Sequence, residues 1–312
     1  MAFLRRAGAH IGTHVRIRRG AYIVADEISI GDGVIIEPDA HIVCGTLRMG
    51  TECKIDSETV VFGEGQLIME DGSYIGPRAW INTAATVRLG RGTGIGPGSM
   101  VFTHGVWLPH LEGFPRSFED VILEDHVWIP ANVTILPGVR VGEGAIIGAG
   151  SVLNKSVAPH MFVAGVPAKE VSPVEKLRGP MTPESRDQRA REMFEDFARL
   201  AERKGWRLRR GQAPILFHFG TRRGADTAVA YFTGVMDGRM LQDLVTSRGG
   251  PARILLVALD GFAPETSATL LRHPSVDWFD LATHVARRSW HHDTVVFRRH
   301  LASHWGLHLI LR

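Results

Sequence analysis

Aliphatic residues stand at Leu123, Ile129, Ile135, Val141, Ile147 and Leu153, spaced by six residues without a slip. A period of six matches neither the helix repeat nor the alternation of an isolated strand. Upstream the same spacing arrives in triplets: Ile11, Ile17, Ile23; Ile30, Ile36, Ile42; Met49, Ile55, Val61; Met69, Ile75, Ile81; and Leu89, Ile95, Val101. Each triplet begins 19 or 20 residues after the one before, and from Leu123 the repeat tightens to 18. Three hexads plus one or two extra residues describe one coil of a triangular prism. Each side is a short parallel strand with its aliphatic residue inside. One coil cannot bury its own inner face, so the coils must stack their aliphatic residues into columns, as solenoids do. Small residues between the aliphatic positions suit tight corners. A sandwich of short strands predicts polar alternation and irregular turns instead. The expected fold is mainly β: a parallel β-helix with three hexads per coil.

The rhythm fails once. Val101 and Leu123 are 22 residues apart, not a multiple of six, and the insert GVWLPHLEGFPRSFEDVI mixes aromatic, acidic and proline residues. A long loop leaving a rigid scaffold is usually functional or disordered, and these aromatics and prolines favour an ordered lid. FTHG, residues 102–105, stands at its root.

The segment LEDHVWIPANVTILPGVRVGEGAIIGAGSVLNKSVAPHMFVAGVPAK, residues 123–169, resembles the hexapeptide-repeat acyltransferases, particularly their galactoside and maltose O-acetyltransferase branch. The resemblance implies a left-handed parallel β-helix, an exception to the usual crossover hand, and a homotrimer with active sites between subunits. It also implies acetyl-CoA as acyl donor and a hydroxylated acceptor, a sugar of a glycan or of a glycosylated small molecule, acylated directly. Thr103 and His104 match the place of the family's general base, and imidazole is the side chain best suited to accept a proton near neutrality. The Ala131 amide aligns with the family's oxyanion donor. Pro130 before it departs from the usual small residue and has no N–H to offer. Ala149, Gly150 and Ser151 match the groove for the pantetheine arm, with Asn154, Lys155 and Lys169 toward the nucleotide end. Trp80 and Asn82 align with acceptor-site positions, where an aromatic face meets sugar C–H groups and an amide bonds a hydroxyl. In the insert, Glu112 and Arg116, with Glu119 and Asp120, are candidates to read acceptor polarity.

At 312 residues the chain has room for two domains. The boundaries expected are 1–172 for the repeat domain with an excursion over 104–122, a linker over 173–181, and a mixed α/β domain over 182–312. In the last, TPESRDQRAREMFEDFARLAERKG reads as an amphipathic helix capped by Thr182, with Met193, Phe194, Phe197 and Leu200 on one face. APILFHF, TAVAYF and ARILLVAL read as buried strands, and GRMLQDLV and DTVVFRRHLASHW as helices. This domain carries no chemical motif, and acceptor or partner recognition is the role expected of it.

Other classes are less favoured. A net charge of +3, with basic and acidic residues interleaved, gives no call for nucleic acid. Two cysteines, Cys44 and Cys53, do not make a disulfide scaffold. The opening MAFLRRAGAHIG lacks a signal-peptide pattern and no run is long enough to span a membrane, so a cytoplasmic protein is expected. N-acylation of an amino sugar needs the same base and stays open. A zinc enzyme of the γ-carbonic-anhydrase type shares the prism, and His104, His110 and His126 are available to it. That family's histidine pair four residues apart is missing. His300 and His304 are one helical turn apart but lack a third ligand, so no metal is expected. A non-catalytic scaffold would have to fail to bind coenzyme A.

Overall fold

The computed structural model describes residues 2–106, 108–211, 215–220, 227–233, 253–262, 266, 273–305, 307 and 309–311. The chain divides into two compact units, 1–179 and 180–312.

The first unit is the expected parallel β-helix. Side 1 stacks Ile11, Ile30, Met49, Met69, Leu89, Leu123 and Val141 in direct register. Side 2 pairs Ile17, Ile36, Ile55, Ile75, Ile95 and Ile129 in the same way. Side 3 stacks Ile23, Ile42, Val61, Ile81, Val101, Ile135 and Leu153. From the second coil onward these residues are almost entirely buried in one continuous core. Each fully buried aliphatic side chain stabilises the stack by about 1.5–3 kcal/mol.

Two corners of each coil are made by one residue in the left-handed region. Between sides 1 and 2 it is His14, Gly33, Glu52, Gly72, Gly92, His126 and Gly144 in successive coils; between sides 2 and 3 it is Gly20, Asp39, Glu58, Arg78, Gly98, Asn132 and Gly150. The third corner takes the extra residues. Strands Tyr22–Ile30 and His41–Met49 run through it in extended conformation, so one strand serves two sides. In the 18-residue coil no extra residue is present, and Gly138 at φ 78° makes a left-handed turn there instead. Buried hydroxyls tie coil to coil: Thr59 donates to the Gly76 carbonyl and Ser99 to the Pro130 carbonyl, each at 2.9 Å.

Among the described residues, the second unit is a mixed sheet of seven strands in sequential order, with three central strands, Thr227–Phe232, Arg253–Ala258 and Val276–Asp280, parallel to one another. Helix Pro183–Arg203 begins in a capping box of Thr182 and Ser185 and buries Met193, Phe194 and Phe197 against this sheet, with Leu200 at the margin. Helix His292–Trp305 packs into the same core. His300 Nε2 lies 3.2 Å from the Asp196 carboxylate and its ring packs edge-on to Phe197. The His304 side chain and the expected helix GRMLQDLV lie outside the described residues. Strands Arg207–Arg210 and Val276–Asp280 were not legible, because their arginines and aspartates mask the strand pattern.

Candidate active site

Side 3 ends at Val101, and the backbone makes one more ladder bond, from Phe102 N to the Ile135 carbonyl at 2.9 Å. The chain then leaves the prism. His104–Gly105 pairs antiparallel with Ser117–Phe118, so the excursion is rooted in a two-stranded ribbon with His104 directly opposite Phe118. The returning strand is pinned twice: Glu119 N donates to the Thr103 carbonyl at 2.9 Å, and Thr86 N to Asp120 Oδ1 at 2.8 Å. At the tip a short turn, His110–Glu112, ends at Gly113, and His110 Nδ1 lies 2.9 Å from the Phe114 carbonyl. Glu112 stands exposed in that turn.

The His104 imidazole is held from behind. Its Nδ1 is 2.8 Å from Oδ1 of Asn82, a buried residue one coil away. The orientation of the Asn82 amide is fixed by its other partners, since the Thr103 and Ala84 backbone N–H groups, each at 3.3 Å, can only donate and therefore face its oxygen. The Thr103 hydroxyl lies 2.9 Å from the same oxygen and accepts from Ala85 N. Opposite an obligate acceptor, Nδ1 must carry the proton. Neutral His104 then presents a bare Nε2 lone pair on the far side of the ring. Asn82, aligned by resemblance with the acceptor, is thus turned inward to orient the imidazole.

An aromatic ring stands beside the imidazole. Phe118 has its ring centroid 6.2 Å from that of His104, and the Arg116 guanidinium lies over the Phe118 ring at 5.1 Å. Phe118 is a functional candidate that periodicity could not find, because only the ribbon register brings it opposite His104. Trp80, half exposed, precedes Asn82 by two residues on the outward row of its strand and packs edge-on to Phe62.

Of the expected donor residues, Ala131, Ala149 and Gly150 stand at another corner. Ala131 and Ala149 occupy the turn between sides 2 and 3 in successive coils, joined by Gly150 N to the Ala131 carbonyl at 3.0 Å. In earlier coils this turn position holds Pro38, Pro77 and Pro97, residues without an N–H. Its amide therefore has no duty in the ladder, and the Ala131 N–H makes no hydrogen bond among the described residues. Gly150 is exposed, whereas Ser151 is buried with its hydroxyl accepting from Gly165 N at 3.0 Å. Lys169 lies on the closing hairpin opposite Ala164, and Asn154 and Lys155 stand exposed beyond strand Val152–Leu153. His104 and Ala131 do not meet within one chain. Ala131 begins side 3 above Pro97 and His104 follows the end of that side, so the two stand at its opposite edges.

Residues 120–155 match the bacterial transferase hexapeptide family, a model of six repeats. The closing coils carry the hexapeptide-repeat signature. Over 119 residues the chain is 31% identical to a protein of Escherichia coli K12 named as a lipopolysaccharide biosynthesis O-acetyl transferase, covering 35% of this chain and 61% of that one. Over 61 residues it is 48% identical to a 2,3,4,5-tetrahydropyridine-2,6-dicarboxylate N-acetyltransferase of Enterococcus faecalis, covering 20% and 26%. Among solved structures, an N-acyltransferase from Bacillus cereus in complex with dTDP and coenzyme A is similar with a TM-score of 0.39 and 23% identity, over 57% of this chain and 92% of that one. The matches thus span between a quarter and three fifths of these two curated relatives. None of the described helices is long and apolar enough to cross a membrane.

Proposed function

We propose that the chain is an acyl-CoA-dependent acyltransferase that moves an acetyl group directly from acetyl-CoA to a sugar hydroxyl, in the manner of the galactoside and maltose O-acetyltransferase branch, in the cytoplasm. The observation that carries this reading is the His104–Asn82 pair, which leaves Nε2 free to accept a proton at the root of an excursion from a hexapeptide-repeat prism. The acceptor oxygen attacks the thioester carbonyl carbon, forming a C–O bond, while its proton passes to His104 Nε2. The carbonyl oxygen becomes an oxyanion, for which the Ala131 N–H is the donor. Collapse breaks the C–S bond, and the leaving thiolate takes the proton from the imidazolium. An ester and the free thiol of coenzyme A result, with no acyl-enzyme. Because base and amide lie at opposite edges of side 3, the reading requires a second copy, in a homotrimer whose neighbouring chains each supply one of them. The apolar side chains exposed on that side, Tyr22, Val43, Trp80 and Met100 among them, support its burial between copies.

The test is turnover and donor binding in His104→Ala and His104→Asn. Both should bind acetyl-CoA as the unmodified protein does, by calorimetry, while transfer falls about 100- to 10,000-fold, the usual worth of a positioned base. Near-normal turnover in either variant would refute the assignment.

A further inference from the structure

The ribbon beside the imidazole carries a positive charge, Arg116, that no carboxylate pairs with among the described residues. Arg116 lies over the Phe118 ring, and Phe118 stands opposite His104, so base, aromatic face and guanidinium follow one another along the ribbon. Arg116 forms no ion pair with a carboxylate among the described residues. The acids nearest to it in sequence are engaged elsewhere or set apart. Asp120 accepts from the Thr86 N–H. The Glu119 carboxylate lies so close over Gly138 in the next coil that a Cβ there would sit 2.5 Å from its Oε2. Glu112 is at the exposed tip. A guanidinium stacked on an aromatic ring keeps its in-plane N–H groups free, and these form a planar fork that fits the two oxygens of a carboxylate or phosphate. Stacking on Phe118 also limits the freedom of the side chain, so less is lost when the fork engages a ligand.

We propose that the acceptor is anionic: it carries a carboxylate or phosphate near the hydroxyl to be acylated, and Arg116, braced on Phe118, binds that group. The two ring separations keep the guanidinium within the span of two sugar rings from the imidazole. That is the reach of a carboxylate on the acceptor's own ring, or of a phosphate on its anomeric oxygen. The inference rests on His104 being the base of acyl transfer, and it adds the charge of the substrate to that reading.

The experiment compares acetyl transfer from acetyl-CoA to glucose, galactose and N-acetylglucosamine acceptors, each as a neutral methyl glycoside, as the uronic acid and as the 1-phosphate. Intact protein, Arg116→Met and Arg116→Lys are measured in parallel. The intact protein should favour one charged form over its neutral partner by at least about 10-fold in kcat/KM, and which form it favours separates carboxylate from phosphate. In Arg116→Met that ratio should drop by about 10- to 100-fold, carried by KM, as expected for losing a charge-assisted hydrogen bond. Arg116→Lys should keep part of it, as a point charge without the fork. Acetyl-CoA affinity, measured by calorimetry, should be the same in all three. The proposal is overturned if neutral acceptors serve as well as both charged forms, if the loss in Arg116→Met is equal on both or appears in kcat, or if acetyl-CoA binds and no charged acceptor is acetylated. Failure to bind acetyl-CoA would instead remove the acyltransferase reading beneath it.

Discussion

Asn82 is the residue on which the chemistry of His104 turns. Its side-chain oxygen gathers donors from Thr103, Ala84 and His104, so Asn82→Ala strips a partner from the imidazole and from two backbone N–H groups at once. Each buried donor left unpaired costs about 1–3 kcal/mol. With Nδ1 no longer bonded the imidazole is free to rotate or to take the other tautomer, so kcat should drop by about 10- to 100-fold while acetyl-CoA affinity is kept. A fall in melting temperature with kcat unchanged would show that the pair is structural only. The role of Asn82 was illegible in the sequence for a definite reason. It lies 22 residues from its partner, and an outward position next to Trp80 reads equally as a contact for substrate. The two thiols, by contrast, are both buried. Burial pushes Cys44 and Cys53 up to about 11, with hydrogen bonds offsetting it only in part. In the unfolded chain they ionise near 9, so between about pH 9 and pH 11 the unfolded state releases protons that the folded state retains, and stability falls as pH rises through that window. Alkylation of the native protein at pH 8 should therefore be slow and accelerate with denaturant; rapid labelling without denaturant would contradict the burial.

The coil is the unit in which sequence and structure agree most closely, because every aliphatic residue of a column must match its neighbour above and below. A slip of one position would turn a side outward, so the period determines register as well as fold. Less legible was everything at the corners. Glu52, Glu58 and Arg78 hold left-handed positions that glycine would normally mark, and two nine-residue strands cross a corner that the hexads place between sides. Nor does composition reveal how closely corners stack. Gly96 has ordinary backbone angles, yet a Cβ on it would lie 2.6 Å from Pro130 C and 2.8 Å from Ala131 N in the coil above. Gly96→Ala must displace the peptide proposed to offer the oxyanion donor, which predicts a loss of about 1–3 kcal/mol together with a drop in kcat. Gly72, at φ 69° with nothing within 4 Å of its added Cβ, is the control. Gly72→Ala should cost about 1–2 kcal/mol in the same melt, from backbone strain alone, and leave kcat as it was. Equal effects on kcat would mean that the Ala131 peptide has no part in turnover.

At the scale of the whole molecule, the proposed base and oxyanion donor stand at the two edges of one side of the prism, so the proposed reaction needs them to meet across two chains. In the proposed trimer cyclic symmetry resolves this: with three copies side by side, each interface would join His104 of one chain to Ala131 of the next. That arrangement can be tested by mixing two inactive proteins. His104→Ala removes the base and keeps the amide. Ala131→Pro removes the amide and keeps the base, and the turn should tolerate it, since Pro38, Pro77 and Pro97 hold the same position in earlier coils. Mixed in equal amounts, unfolded and refolded together, the two variants should distribute at random. Three quarters of the trimers are then mixed, and each mixed ring has one interface of three where an intact base meets an intact amide. Activity should thus return to about a quarter of the unmodified level from two proteins that separately have almost none, with light scattering giving the mass of three chains. Were base and amide to act within a single chain, every site in the mixture would carry one lesion, and no activity would return at any ratio.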